Sequence, residues 1–221
     1  MRVKVKVCGV TRASDALVAS DLGASAVGFV FWDKSPRSVA IAQAAEIVSM
    51  LPPDVAPIGV FVDASQAWVE EVSDRVGLAA VQLHGDETPE FCGSLRRRVI
   101  KAVTLREPED VESATDLPET LTPLVDVHDT VKRGGTGRTA DWALAARVAQ
   151  RRRIFLAGGL TPANVVDAVR VVHPYGIDVS SGVEVSPGVK SQDLLHAFFE
   201  ALLDTDETSR EQERWAAKNQ A

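Results

Sequence analysis

Eight short, almost uninterrupted apolar runs recur along the chain, each followed by a longer stretch of different period. They are VKVKVC (3–8), SAVGFVF (25–31), APIGVFVD (56–63), LAAVQL (78–83), VIKAVT (99–104), TPLVDV (122–127), RIFLAG (153–158) and GIDVSS (176–181). β-Branched residues dominate them, and apolar residues occupy successive positions, the pattern of strands buried on both faces in a parallel sheet. Helical patterns lie between, among them SDALVASDLG (14–23), AQAAEIVSML (42–51), AWVEEVSDRVG (67–77), ADWALAARVAQ (140–150) and NVVDAVRVVH (164–173). Ser14 ahead of the first, Gly23 and Gly77 past two ends, and Thr161-Pro162 before the last supply boundaries. Eight strand-then-helix units predict an α/β fold, a single-domain (β/α)8 barrel over residues 1–203, with an open doubly wound sheet as the alternative. Residues 204–221 lose apolar periodicity and read as a polar extension, disordered or loosely docked through Trp215.

The formal net charge of -7 argues against a nucleic-acid surface. The Arg runs at 96–98 and 151–153 precede strands and read as solvated helix ends. Two cysteines, Cys8 and Cys92, without C-x-x-C spacing fit a reducing cytoplasm. No leader pattern and no bilayer-length apolar run is present, so no membrane association is expected. The histidines show no ligand spacing, and no metal site is expected.

In a parallel barrel the site forms at the carboxyl ends of the strands. Those positions hold Cys8, Trp32 to Arg37, Asp63, His84, Asp126, Gly158-Gly159 and Asp178 to Gly182. Gly158 and Gly159 before a helix, and Ser180, Ser181 and Gly182 one unit later, suit a phosphate. Asp126 ends an apolar strand, where burial would raise its pKa toward general-acid use; local backbone N–H groups could equally satisfy it. Arg37 could hold a planar carboxylate or sit in a surface ion pair. His84 could orient a substrate or be structural. Cys8 is a core thiol on its own, but beside a phosphate site it becomes a candidate base, provided its pKa falls. The connection 128–139, HDTVKRGGTGRT, has the length of a functional or mobile loop.

The ordered set KVCGVT, GFVFWDKSPRSV, GVFVD, VQLHGDE, LVD followed by GGTGRTADW, LAGGL and DVSSGVEVSPGVKS resembles the phosphoribosylanthranilate isomerases. The resemblance runs from about residue 3 to about residue 203, with motifs in every unit but the fifth. It implies a cofactor-free Amadori rearrangement of a phosphosugar in tryptophan biosynthesis, with Asp126 as acid and Cys8 as base. It further implies Arg37 on the anthranilate carboxylate, Asp178 near the sugar hydroxyls, His84 lining the site, and phosphate at Gly158, Gly159, Ser180, Ser181 and Gly182. A small-molecule phosphosugar partner and a monomer are expected.

This sequence departs from the family's pattern at Ala140, where Phe is usual, at Trp32-Asp33, where Tyr-Pro is usual, and in the tail. Three competing readings remain. A histidine-pathway isomerase would carry an aspartate at the position of Cys8. Indole-glycerol-phosphate synthase needs strand-end lysines, for which Lys101 is a candidate. A non-catalytic phosphosugar-binding protein would need the anion site but neither Cys8 nor Asp126.

Overall fold

A computed structural model describes residues 3–126 and 139–203, and in 139–141 the backbone alone. Strands β1 (Lys4–Cys8), β2 (Ala26–Val30), β3 (Ala56–Phe61), β4 (Ala80–Leu83), β5 (Arg98–Thr104), β6 (Leu121–Asp126), β7 (Phe155–Ala157) and β8 (Gly176–Val179) pair in chain order, all parallel. The sheet closes, because β8 pairs back onto β1 with Lys4 opposite Gly176 and Lys6 opposite Asp178. The open-sheet alternative is thereby excluded.

The near-continuous hydrophobicity of the runs follows from this closure. One parity of each strand faces the barrel interior, where Ala26, Ile58, Ile100, Leu124, Phe155 and Ala157 form a layer, with Cys8, Val30 and Val60 grouped separately. The other parity, including Val7, Phe29, Phe61, Leu83, Val125 and Ile177, packs beneath the helices in the larger core. Fully burying one such Phe or Leu contributes about 1.5–3 kcal/mol, so a polar residue at either parity calls for an explanation.

The surrounding helices are α1 (Ala13–Asp21), α2 (Ile41–Met50), α3 (Gln66–Val76), α4 (Pro89–Gly93), α5 (Asp110–Thr115), α6 (Thr139–Ala149), α7 (Val165–Val172) and α8 (residues 192–203). Helix α3 is capped at both ends: Ser65 Oγ accepts from the Trp68 N–H, and Gly77 turns left-handed at φ 79°. Two expected boundaries differ. Ser14 lies inside α1, whose start is fixed instead by Arg12 pairing with Asp15 through two hydrogen bonds of 2.9 and 2.7 Å. Thr161-Pro162 forms a turn ahead of α7, held by the Thr161 N–H donating to Asn164 Oδ1 at 2.8 Å.

The arginine runs fasten loops. Arg96 and Arg97 pair with Glu70 and Asp74 on α3, while Arg152 donates to the carbonyls of Thr115, Leu117, Pro118 and Leu121. No helix among the described residues is long and apolar enough to cross a membrane. The expectations for most of the 128–139 connection, for His128 and for the tail with Trp215 fall outside the described residues, as does the Ala140 side chain.

Candidate active site

Cys8 ends β1 on the interior parity and is 8% exposed. The residues flanking its thiol explain the local sequence. A Cβ at Gly9 would lie 2.6 Å from Arg37 Cδ and 3.1 Å from Ser180 Oγ, so glycine after the cysteine lets two neighbouring loops close over the strand end. Gly28, opposite Cys8 on β2, leaves room for two groups at once: a Cβ there would lie 2.8 Å from Cys8 Sγ and 3.1 Å from Lys6 Nζ.

Lys6 was not among the sequence candidates, although period-two alternation from Cys8 places it on the same interior parity. It is fully buried and donates from Nζ to Asp178 Oδ1 at 2.9 Å. Burial works against its charge, but the anionic partner beside it, Asp178 first, outweighs burial and holds Lys6 above its ordinary value. Burial pushes the Cys8 thiol up; Lys6 and Lys190 pull it down, and Asp178 adds to the rise. Resting Cys8 is therefore a thiol, contrary to the lowered pKa that a base assignment from sequence required. Burial likewise raises Asp178, against the pull of Lys6 and His84 and with a push from Asp126.

Asp126 ends β6 on the same interior parity, and its side chain is 23% exposed, less buried than its strand context suggested. His84, just past β4, brings Nε2 to 3.5 Å from Asp126 Oδ2. The Gln82 amide lies 3.0 Å from His84 Nδ1. With the amide nitrogen donating, Nδ1 is the acceptor and the ring hydrogen sits on Nε2, facing the carboxylate. Gln82 is a second interior polar residue that sequence inspection passed over.

Arg37, on the loop after β2, meets Glu184 edge-on: Nε donates to Oε1 at 3.0 Å and Nη2 to Oε2 at 2.7 Å. Glu184 begins β9 (Glu184–Ser186), which pairs antiparallel with β10 (Val189–Lys190). Lys190 Nζ reaches Glu184 Oε1 at 2.8 Å, Ser180 O at 3.2 Å and Cys8 O. Burial opposes the Glu184 charge, yet Arg37 and Lys190 hold its carboxyl below the usual range. Arg37 is thus in an ion pair, but a largely buried one at the mouth of the strand ends and not the surface pair posed for it.

The two small-residue loops are in contact. Gly158 and Gly159 take φ 97° and 61°, and a Cβ at Gly182 would lie 1.8 Å from Leu160 O. The eighth loop leads into a 3-10 turn, Ser181–Val183, and the β9–β10 hairpin before α8. In the seventh, four residues separate Gly159 from Asn164, the residue that precedes α7. Neither loop runs directly into an α-helix as the sequence suggested. Lys101 lies on the outward parity of β5 and donates to Gly85 O at 2.6 Å and to Glu87 Oε2 at 3.2 Å. It braces the loop that carries His84, which removes the basis for a lysine-dependent synthase.

The family model described as N-(5'phosphoribosyl)anthranilate (PRA) isomerase matches residues 5–201. An N-(5'-phosphoribosyl)anthranilate isomerase of Pelobacter propionicus is 47% identical over 203 residues, covering 92% of this chain and 97% of that protein. The isomerase of Pseudomonas fluorescens is 43% identical, over 90% of this chain and 98% of its own length. The crystal structure of the Thermotoga maritima isomerase superposes with a TM-score of 0.85 at 42% identity, covering 91% of this chain and 99% of that one. Another, of an isomerase in complex with reduced 1-(o-carboxyphenylamino)-1-deoxyribulose 5-phosphate, gives 0.82 at 40% identity over the same shares.

Proposed function

This chain belongs to the N-(5'-phosphoribosyl)anthranilate isomerase family, and from that premise we propose how its residues divide the work. It is an isomerase of tryptophan biosynthesis that converts N-(5'-phosphoribosyl)anthranilate to 1-(2-carboxyphenylamino)-1-deoxyribulose 5-phosphate. The observation that carries the assignment of roles is the shared interior parity of Cys8 and Asp126 at the ends of β1 and β6.

Asp126 gives its proton to the furanose ring oxygen as the C1–O bond breaks, the bonding pair leaving with oxygen and the anthranilate nitrogen closing an iminium to C1. Cys8, as thiolate, then takes the proton from C2. The C2 electrons form the C1–C2 double bond and quench the iminium, giving an enolamine that becomes the ketone once its hydroxyl loses a proton and C1 gains one. C1 is reduced and C2 oxidised, so no external electron carrier enters. The iminium acidifies the C2 hydrogen, which brings it within reach of a thiolate.

Arg37 takes the anthranilate carboxylate, with Glu184 fixing the edge of the guanidinium. Gly158, Gly159, Ser180, Ser181 and Gly182 take the phosphate. His84 orients Asp126, and Asp178 faces the sugar. The barrel of residues 1–203 is the catalytic domain, and 204–221 is an appended segment.

The experiment follows loss of anthranilate fluorescence in freshly made substrate with wild type and Cys8→Ser. A fall in kcat of about 10²–10⁴ is expected for loss of a general base. Undiminished turnover in the variant would return Cys8 to the role of core thiol. We further propose a monomer in the cytoplasm. One related structure is described as monomers of a dimeric Thermotoga maritima isomerase, so sedimentation of this chain as a dimer would overturn the first part. Recovery in a secreted fraction would overturn the second.

A further inference from the structure

Resting Cys8 is a thiol, so it must lose a proton before it can serve as the base assigned to it above, and the proposal made here rests on that assignment. Around it the described charged groups are Lys6 on its own strand, Asp178 on β8, Lys190 on β10 and Arg37 on the loop after β2. Lys190 is already committed to Glu184 and two carbonyls, and Arg37 to Glu184. Lys6 differs. Its Nζ sits between the Asp178 carboxylate at 2.9 Å and the space above Gly28 that it shares with Cys8 Sγ.

We propose that Lys6 is a positioning residue of the isomerisation, a buried ammonium that serves two anions in turn and lets Cys8 pass its proton to Asp178. In the resting chain Lys6 pairs with the Asp178 carboxylate beside a neutral thiol. On activation the S–H bond breaks, the proton joins the Asp178 carboxylate, and the Lys6 hydrogen bond turns from Oδ1 to the new thiolate. The cavity carries the same net charge before and after, so the transfer avoids the cost of creating a charge away from water.

The arrangement also closes the proton cycle. After turnover Cys8 holds the C2 proton, Asp126 has lost one, and Asp178 holds one in excess. The count balances when Asp178 gives up that proton and Asp126 regains one. Gly28 is part of the device, because any side chain there would occupy the space where ammonium and sulfur meet.

The test reads thiol titration and leaves turnover aside. The rate of Cys8 carboxamidomethylation by iodoacetamide is measured from about pH 6 to about pH 10 and resolved by peptide mass spectrometry, so that Cys92 is counted apart. In Lys6→Met the thiolate loses its counter-charge, and the inflection should rise by about one unit or more, slowing the reaction about tenfold at neutral pH. In Asp178→Asn the competing anion is gone, and the inflection should fall below that of wild type. An ion pair that exerts no influence on the thiol would not move the two variants in opposite directions. Inflections that stay put, or that shift the same way, overturn the proposal. If Lys6→Met does not fold, Asp178→Asn decides alone, and an inflection at or above that of wild type overturns it. Turnover retained by Cys8→Ser would instead overturn the base assignment, a result separable from any shift in titration.

Discussion

Replacing Gly182 with alanine tests whether the two small-residue loops form one phosphate grip. The added Cβ would lie 1.8 Å from Leu160 O and 2.8 Å from Leu160 C, both backbone atoms that no rotamer change can move aside. The loops must therefore separate by about 1.6 Å, since ordinary van der Waals contact begins near 3.4 Å. Overpacking of this kind costs about 1–3 kcal/mol. In a domain of this size that lowers Tm by about 2–12 °C. A displacement of about 1 Å in groups that position a substrate costs about 10²-fold in efficiency. Because the grip is remote from the reacting carbons, most of that loss should appear in KM. The assay is steady-state kinetics by anthranilate fluorescence, paired with thermal unfolding. Gly93→Ala is the control, since a Cβ there meets nothing within 4 Å. Gly182→Ala with an unchanged KM and a control-like melting curve would refute the idea that the loops act as a unit.

Three other perturbations have defined outcomes. The Glu184 carboxyl is depressed, so its contribution to stability is present above the unfolded value near 4.5 and is lost as pH falls through the lower folded value; urea titrations from about pH 6 to about pH 3 should show Glu184→Gln with a shallower acid loss than wild type. Arg152→Ala leaves four carbonyls between α5 and β6 without their shared donor and should destabilise the chain by about 2 kcal/mol with kcat unchanged, measured by urea denaturation and initial rates. Lys101→Met frees the loop at Gly85 and should raise amide exchange around His84, a change that hydrogen exchange with peptide resolution would detect; protection equal to wild type would count against the bracing role.

The barrel was legible because both parities of its strands are buried by apolar contact, which leaves a plain record in runs such as SAVGFVF. Short α4 and α5 left weaker records: five and six residues cannot display a helical period, and the Thr88-Pro89 start of α4 was the available clue. Cys8, Asp126 and Arg37 stand at strand ends and could be found by position. Lys6 and Gln82 lie inside their strands and could be reached only by counting alternate positions back from the strand ends, since a lysine in a strand otherwise reads as a solvent-facing residue. Glu184 and Lys190 were hidden for another reason. Their partners, Arg37 and Cys8, are 147 and 182 residues away, a separation that no local pattern encodes.

The seam between β1 and β8 sets an order of assembly during synthesis. Residue 8 leaves the ribosome well before the groups that complete its surroundings, which come from the far end of the barrel. Lys6 waits for Asp178, Asp15 for the Lys190 N–H, and Thr11 for Gly188 O. Until then the first strand is an open sheet edge carrying a lysine that belongs indoors, and its amides can pair only with β2. The surroundings of the reactive cysteine are therefore complete only in a chain whose last strand and the hairpin after it stand beside the first.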